Sequence, residues 1–229
     1  MSAGSVFVQV LALAIDPAWR ARFTDDRLAD LHDLATATDA GARHDVTTLS
    51  YTSVGLEPGV DLLLWRTGPS VEALELAAAQ LLVSRPGPWL RVAHSFLGRT
   101  SPSQYTTAPT EQESGLTRDG TGRYLVVYPF TKSSEWYLLS REARQGIMNE
   151  HMRVGRGYPA VRQALAYSFG LDDQDFIVAY ETDDLVVFGE LVRELRGTES
   201  RRSTVRDTPI LVGVRRPMSD LGALLGVTT

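Results

Sequence analysis

An internal repeat constrains the fold of this chain more than any other feature. The segment YTSVGLEPGVDLLLWRT (51–67) precedes a helical pattern at 71–83, and AYSFGLDDQDFIVAYET (166–182) precedes a helical pattern at 185–196. Both copies contain a Gly-Leu pair, followed by an aspartate that precedes three apolar residues. Because a repeat of this kind is one supersecondary unit, the sequence predicts two halves of the same architecture.

Each half carries the order strand, helix, strand, turn, strand, helix, strand. The opening strands are predicted at Phe7–Ala14 and Tyr124–Tyr128. The βαββαβ order is the ferredoxin-like unit, with helices on one face of its sheet. Two units in tandem can pack their uncovered sheet faces together. The predicted class is therefore α+β, with tandem duplicated ferredoxin-like βαββαβ repeats that form an α+β barrel.

The stretch GRTSPSQYTTAPTEQESGLTRDGTG (98–122) is rich in Gly, Pro, Ser and Thr and has no apolar period. Such composition is typical of a connecting segment. We therefore divide the chain into an N-terminal ferredoxin-like half (1–97), a linker (98–122) and a C-terminal ferredoxin-like half (123–229) that holds the candidate site.

Composition narrows the function classes. The 229-residue chain has a formal net charge of −5, which argues against nucleic acid as the main partner. It has no cysteine, so disulfides, thiolate metal sites and cysteine nucleophiles are excluded. The apolar run Phe7–Ile15 is too short to span a bilayer and predicts a strand, not a signal peptide. We expect a cytoplasmic protein without membrane insertion.

One histidine stands in an unusual place. His151, in NEHMRVGRGYP (149–159), follows Ile147 by four residues on the apolar stripe of a helix predicted from an N-cap at Ser140 to about Val154. A lone histidine in such a place is more often a buried, hydrogen-bonded side chain than a ligand. A metal ligand is the alternative, because neutral imidazole is the commonest side chain in that role.

Three further positions carry polar groups that could serve a site. Tyr128 lies on a strand face, where an aromatic residue usually belongs to the core. Gln163 shares a strand face with Leu165 and Tyr167, so its amide needs a hydrogen bond or a ligand. Glu199 follows the last helix of the repeat, where a solvated carboxylate is the commoner interpretation.

Taken together, four segments resemble one family. YPFTKSSEWYLL, HMRVGRGYP, VRQALAYSFGLDDQDF and ETDDLVVFGELVRELRGTESRR occur in the order and spacing of the chlorite dismutase / coproheme decarboxylase family. The likeness is close over about residues 120–215, and the first half resembles the family only as a degenerate repeat. It implies duplicated ferredoxin-like barrels, usually pentamers, with a haem-type group in the C-terminal half.

The resemblance also implies residue roles. His151 matches the proximal iron ligand, and Glu199 matches the carboxylate that accepts the other ring proton of that histidine. Tyr128 matches the tyrosine that becomes the radical in the decarboxylases. Lys132 matches a lysine placed at a propionate, and Trp136 matches an aromatic side chain beside the macrocycle.

Two positions bear on the choice of reaction. Gln163 matches the distal residue, which is arginine in chlorite dismutases and glutamine in one class of decarboxylases. An amide is neutral and cannot replace the charge of arginine, and Arg162 should point to the opposite strand face. Arg196 matches an arginine near the substrate propionates, although an arginine at a helix end can equally stabilise the helix dipole.

The expected function is oxidative decarboxylation of iron coproporphyrin III (coprohaem) to protohaem b with hydrogen peroxide, in haem biosynthesis. The iron porphyrin is then substrate and product, not a permanent cofactor. A chlorite dismutase, a peroxidase-like haem protein, a non-catalytic haem-binding protein and a haem-free barrel with a structural His151 remain open. We also expect a closed homo-oligomer, a pentamer by the resemblance.

Overall fold

The structure, a computed structural model, describes residues 6–101 and 122–227. Its strands are β1 Phe7–Ile15, β2 Thr47–Glu57, β3 Val60–Gly68, β4 Leu90–Arg99, β5 Tyr124–Lys132, β6 Arg162–Tyr167, β7 Phe176–Thr182, β8 Thr204–Arg206 and β9 Leu211–Arg215. Its α-helices are α1 Thr24–Asp39, α2 Val71–Leu82, α3 Ser134–Leu138, α4 Arg141–Arg156, α5 Leu185–Arg196 and α6 Leu221–Leu224. The predicted strand at Phe7–Ile15 is confirmed. No helix in the described ranges is long and apolar enough to cross a membrane.

The chain forms two compact units. The first unit contains the residues up to Arg99 and those from Val212 onward, and its antiparallel strands lie in the order β4-β1-β3-β2-β9. One face of this sheet packs on α1 and α2. Its core consists of alternate strand residues and inward-facing helix residues, among them Leu11, Leu13, Leu62, Leu64, Leu34 and Leu81.

The second unit spans Thr100–Leu211, and its described strands lie in the antiparallel order β6-β7-β5-β8. Helices α4 and α5 pack on one face of these strands. The core on that face joins Val178 and Tyr180 of β7 to Leu191 of α5, and Tyr128 packs against its edge. This face carries the candidate site.

The repeat holds at the level of single cross-strand pairs. Gly55 and Gly170 both have φ near +70°, at +73° and +71°, a conformation that glycine adopts without strain. Seven residues before each glycine lie Thr48 and Gln163, which pair with Arg66 and Tyr180 on the next strand. The predicted α+β class, with duplicated ferredoxin-like units, is confirmed.

The closing strand of the second repeat, predicted at Ile210–Val214 within the C-terminal half, differs from the prediction in its pairing. Strand β9 pairs with β2, and the residues from Val212 onward belong to the first unit. Gly213 lets β9 lie close to β2, because a Cβ at that position would lie 2.6 Å from Cβ of Tyr51. The hydroxyl of Ser53 adds a hydrogen bond of 2.6 Å to the carbonyl of Val212.

Two smaller boundaries also differ. Helix α4 continues through Gly155 to Arg156, whereas the sequence predicted an end at about Val154. Strand β4 extends to Arg99, into the first residues of the predicted linker. The central part of that linker, 102–121, lies outside the described residues, so the linker stays a prediction.

Candidate functional site

The site is organised by helix α4, whose N-terminus is stabilised locally. The Ser140 hydroxyl accepts a 3.2 Å hydrogen bond from the Ala143 N–H, as predicted, and Glu142 in the first turn complements the helix dipole. The inward face of the helix includes Ile147 and His151, both only partly exposed. His151 therefore lies between the helix and the rest of the second unit.

A chain of hydroxyl groups fixes the orientation of the His151 ring. Nδ1 of His151 lies 3.0 Å from Oγ of Ser200, and this Oγ lies 3.0 Å from Oγ1 of Thr198. The Thr198 hydroxyl donates to the carbonyl of Leu195 at 2.7 Å. Thr198 therefore accepts from Ser200, and Ser200 in turn accepts from His151 Nδ1–H. This tautomer leaves Nε2 with a free lone pair, the form in which imidazole binds a metal.

The residue that contacts the ring is therefore Ser200, not the predicted Glu199. The Glu199 carboxylate lies 3.4 Å from Nε of Arg202, and more than half of the Glu199 side chain is exposed. Its backbone N–H donates instead to the Glu150 carboxylate at 3.0 Å. Both residues lie in the 3₁₀ turn Glu199–Ser203, in which neighbouring side chains point about 120° apart. An error of one residue in matching the sequence to the family therefore assigns the contact with the ring to Glu199 instead of Ser200.

His151 is uncharged at neutral pH. Burial, and then the positive charge of Lys132, lower the pKa of the imidazole from 6.5 to about 4, while Glu150 acts weakly in the opposite direction. A metal ligand must be deprotonated, so the ring is already in its ligating form at pH 7.

Lys132 supports the same turn. Its ammonium donates to the carbonyl of Ser200 at 2.9 Å and lies 3.2 Å from the hydroxyl of Thr204. It also lies 4.7 Å from the ring centroid of the buried Trp136. Burial, followed by the charge of Arg201, lowers the pKa of Lys132 to about 8. An ammonium has three donors, so one N–H remains for a further acceptor.

Tyr128 lies on the same sheet face, within a cluster of charged groups. Burial raises the pKa of its phenol, and the hydrogen bond with the Tyr180 hydroxyl partly opposes that shift. Asp207 also raises this pKa, while Arg196 and Arg201 lower it. The Asp207 carboxylate lies 2.8 Å from Nη1 of Arg201 and 3.9 Å from Nη2 of Arg196. Two cations thus share one carboxylate beside a protonated phenol. The sequence patterns had not indicated Arg201 as a member of this cluster.

Gln163 occupies β6 directly opposite Tyr180. Its neighbour Arg162 makes a 2.8 Å ion pair with the fully buried Glu181. Since adjacent strand residues point to opposite faces, Arg162 is held away from the face that carries Gln163. The polar group on this part of the face is thus a neutral amide.

Aromatic and aliphatic side chains on this face are incompletely covered. Phe130 stacks on Phe176 at a centroid distance of 4.6 Å, and Phe169 meets Phe176 edge-on at 5.1 Å. Phe169 is 48% exposed and Leu165 is 40% exposed. Exposed apolar surface with a few polar groups is typical of a site for a largely apolar ligand.

Comparison with known proteins identifies the family. The family model described as chlorite dismutase matches residues 25–216, which is most of the chain. The chain belongs to the chlorite dismutase family. It is 32% identical over 184 residues to the coproheme decarboxylase of Mycolicibacterium smegmatis, covering 76% of this chain and 75% of that relative. The predicted family is confirmed.

Solved structures of the chlorite dismutase family have the same fold. The chlorite dismutase of Candidatus Nitrospira defluvii in complex with imidazole is 25% identical, with a TM-score of 0.87 over 98% of this chain and 96% of that one. A doubly substituted mutant of that chlorite dismutase is 26% identical, also with a TM-score of 0.87, over 96% and 95% of the two chains.

The comparisons leave the individual roles of the predicted site residues as predictions. Geometry brings together His151, Ser200 and Lys132 in one cluster, and Tyr128 with Arg196 in another. Among the described residues, no group of three or more His, Asp or Glu side chains could hold a metal ion.

Proposed function

We propose that this member of the chlorite dismutase family converts iron coproporphyrin III to protohaem b with hydrogen peroxide. The observation that carries the proposal is the neutral His151, whose Nδ1 faces Ser200 and whose Nε2 is left for iron, on helix α4, which packs on the sheet face that carries Tyr128. The similarity to a coproheme decarboxylase supports the choice of substrate.

The residues of the face fit an iron porphyrin. Phe169 and Leu165 offer apolar surface to a macrocycle, and His151 offers one axial ligand. The propionates of the porphyrin need cations, which Arg196, Arg201 and the remaining donor of Lys132 can supply. Trp136, buried beside Lys132, would then lie near the edge of the macrocycle.

Tyr128 would carry out the hydrogen abstraction. When bound, the iron porphyrin supplies a strong oxidant in its reaction with peroxide. Burial keeps Tyr128 protonated, so the phenol can lose one electron and one proton, and its radical can then take a hydrogen from the β-carbon of a propionate. Loss of a second electron and of CO₂ leaves a vinyl group. Each decarboxylation thus consumes one propionate, one H₂O₂ and one proton, and yields one vinyl group, CO₂ and two waters.

Arg201 and Arg196 would position that propionate. Together with Asp207 they leave a net positive charge close to the Tyr128 hydroxyl. A carboxylate attracted to this charge brings its carbon chain to the phenol. Lys132 contributes from the other cluster, where it also holds the backbone of Ser200 in place.

Chlorite turnover is the second candidate, because the solved relatives include chlorite dismutases. The neutral amide of Gln163 argues against it, since an anionic oxidant near iron is better stabilised by a permanent positive charge. Arg162 is engaged with Glu181 on the opposite strand face and is a poor substitute.

The test is mass spectrometry of the porphyrin. Purified protein loaded with ferric coproporphyrin III is titrated with hydrogen peroxide, and the products should show stepwise loss of CO₂ and two hydrogens from each of two propionates. Oxygen evolution from chlorite is measured in parallel. Rapid oxygen release without any vinyl product would replace the proposal by the chlorite reaction.

We further propose a closed homo-oligomeric ring, a pentamer by the family resemblance. Exposed strand edges are templates for association, and closing a ring covers them. Light scattering at micromolar concentration tests this, and a monomeric mass would contradict it.

A further inference from the structure

The chain of hydroxyl groups at His151 includes Thr198, to which the proposed function gives no part. Ser200 is 4% exposed and Thr198 is 5% exposed, so water has little access to either hydroxyl. A serine hydroxyl both donates and accepts, whereas a carboxylate in the same place would only accept. Ser200 alone therefore does not decide which nitrogen of the His151 ring carries the proton.

Thr198 fixes the direction of these hydrogen bonds. Its hydroxyl donates to the carbonyl of Leu195 at 2.7 Å, and a carbonyl oxygen can only accept. Leu195 lies in the last turn of α5, where carbonyls lack a partner within the helix and the helix dipole is negative. The single hydroxyl proton of Thr198 is thus used, and its oxygen keeps a lone pair for the proton of Ser200, whose Oγ lies 3.0 Å away.

Without the Thr198 hydroxyl the hydrogen bond at the ring would reverse. The Ser200 proton would lose its acceptor in Thr198, and among the described residues the other hydrogen-bond partner of this hydroxyl is Nδ1 of His151, at 3.0 Å. A hydroxyl that donates to Nδ1 places the ring proton on Nε2, and a protonated Nε2 cannot bind iron. Burial lowers the pKa of the ring to about 4, so at pH 7 the two neutral tautomers are the forms that compete.

The backbone of the 3₁₀ turn is held independently of the Thr198 hydroxyl. The Glu199 N–H donates to the Glu150 carboxylate at 3.0 Å, and the Ser200 carbonyl accepts from the Lys132 ammonium at 2.9 Å. The Thr198 side chain does not cap this turn. Loss of the hydroxyl therefore leaves the Ser200 side chain beside the imidazole and changes the direction of its hydrogen bond.

We propose that Thr198 is a positioning residue that sets the tautomer of His151 through Ser200 and so keeps Nε2 available for iron. The consequence for iron rests on the proposed function, whereas the tautomer of the porphyrin-free protein does not. Partners of a ligating histidine typically change metal affinity by roughly 10–100-fold. Thr198 acts one hydrogen bond further from the metal, so its loss weakens binding of ferric coproporphyrin III by roughly tenfold.

The first test is NMR of the full chain without porphyrin at pH 7, labelled at the histidine ring nitrogens, with His151→Gln to assign the signals. The chemical shifts distinguish a protonated ring nitrogen from one with a lone pair. The unmodified protein should carry the proton on Nδ1. Thr198→Val, which keeps the shape of the side chain, should carry it mainly on Nε2, and Thr198→Ser should restore it to Nδ1. A proton on Nε2 in the unmodified protein overturns the proposal.

Thr38→Val is the matched control. Thr38 lies in the first unit, is 7% exposed, and its hydroxyl donates to the carbonyl of Leu34 at 2.8 Å, so this variant loses the same kind of buried hydrogen bond. It should keep the tautomer of His151 and the affinity for ferric coproporphyrin III in absorbance titrations, whereas Thr198→Val should bind roughly tenfold more weakly. If Thr198→Val does not fold, Thr198→Ala takes its place.

The outcomes separate this proposal from the proposed function. A proton that stays on Nδ1 in Thr198→Val overturns the role of Thr198, even if the unmodified protein produces protohaem. A change of tautomer in Thr198→Val supports that role, even if no vinyl product forms. The same change in Thr38→Val would show a general loss of packing and overturns it, and equal affinity of the two variants for ferric coproporphyrin III overturns the role towards iron.

Discussion

Lowering the pH from 7 to 5 should destabilise the porphyrin-free protein through His151. The imidazole has a pKa of 6.5 in the unfolded chain and about 4 in the folded protein. Between these values the unfolded state binds a proton that the folded state does not, so stability increases with pH. The contribution is fully present above pH 6.5 and is lost as the pH falls towards 4. At pH 5 the loss amounts to about 2 kcal/mol.

The size of this effect follows from the surroundings of the ring. Burial is the larger cause, and the ammonium of Lys132 is the second. Lys132 itself does not titrate in this range, because its pKa is about 8 when folded and 10.5 when unfolded. The carboxylates also titrate at acidic pH, but a variant that lacks only the imidazole retains them all.

The assay is urea unfolding of the unmodified protein and of His151→Gln at pH 7 and pH 5. From pH 7 to pH 5 the unmodified protein should lose about 2 kcal/mol more than the variant. His32→Gln, at an exposed histidine, is the control and should behave as the unmodified protein. Equal pH dependence with and without His151 would refute the reasoning, as would an NMR titration of His151 near pH 6.5.

Three further predictions concern the loaded protein. Tyr128→Phe should bind coprohaem but yield neither a monovinyl intermediate nor protohaem by mass spectrometry, because only the O–H is removed; normal product would exclude the radical role. Gln163→Leu should bind the iron porphyrin and react more slowly with peroxide in stopped flow, and an unchanged rate would count against a distal role. Ser200→Ala should weaken iron porphyrin binding in absorbance titrations by roughly tenfold or more, since the partner of a ligating histidine orients it. Unchanged affinity would show that Ser200 does not serve the ligand.

The repeat made much of the fold predictable. In both copies a glycine with positive φ, Gly55 or Gly170, lies seven residues after a paired strand residue, Thr48 or Gln163, and the aspartate that precedes three apolar residues follows that glycine by six or five residues. The apolar run Phe7–Ile15 forms one strand of the same length. Helix α4 was predictable because Ser140 is a strong N-cap and the apolar spacing is helical.

Long-range contacts and single-residue register were not predictable in this way. The pairing of β9 with β2 depends on a close backbone approach at Gly213, which no periodicity reveals. Ser200 could not be distinguished from Glu199 as the partner of the His151 ring. Neighbouring side chains in a 3₁₀ turn point about 120° apart, so a register error of one residue selects the wrong side chain. Arg201 lies in a run of charged residues, and only the fold brings it close to Tyr128.

The two units differ in how the corresponding sheet faces are filled. Leu11 pairs with Leu64 in the first unit as Tyr128 pairs with Val178 in the second, so the counterpart of the proposed radical residue is an aliphatic side chain. Leu11 and its neighbours Leu13, Leu62 and Leu64 are almost fully buried against α1 and α2. In the second unit Val178 and Tyr180 are buried, whereas Leu165 and Phe169 remain 40% and 48% exposed and leave apolar surface for the proposed ligand. Filling the first face with leucines would thus restrict a large apolar ligand to the second unit.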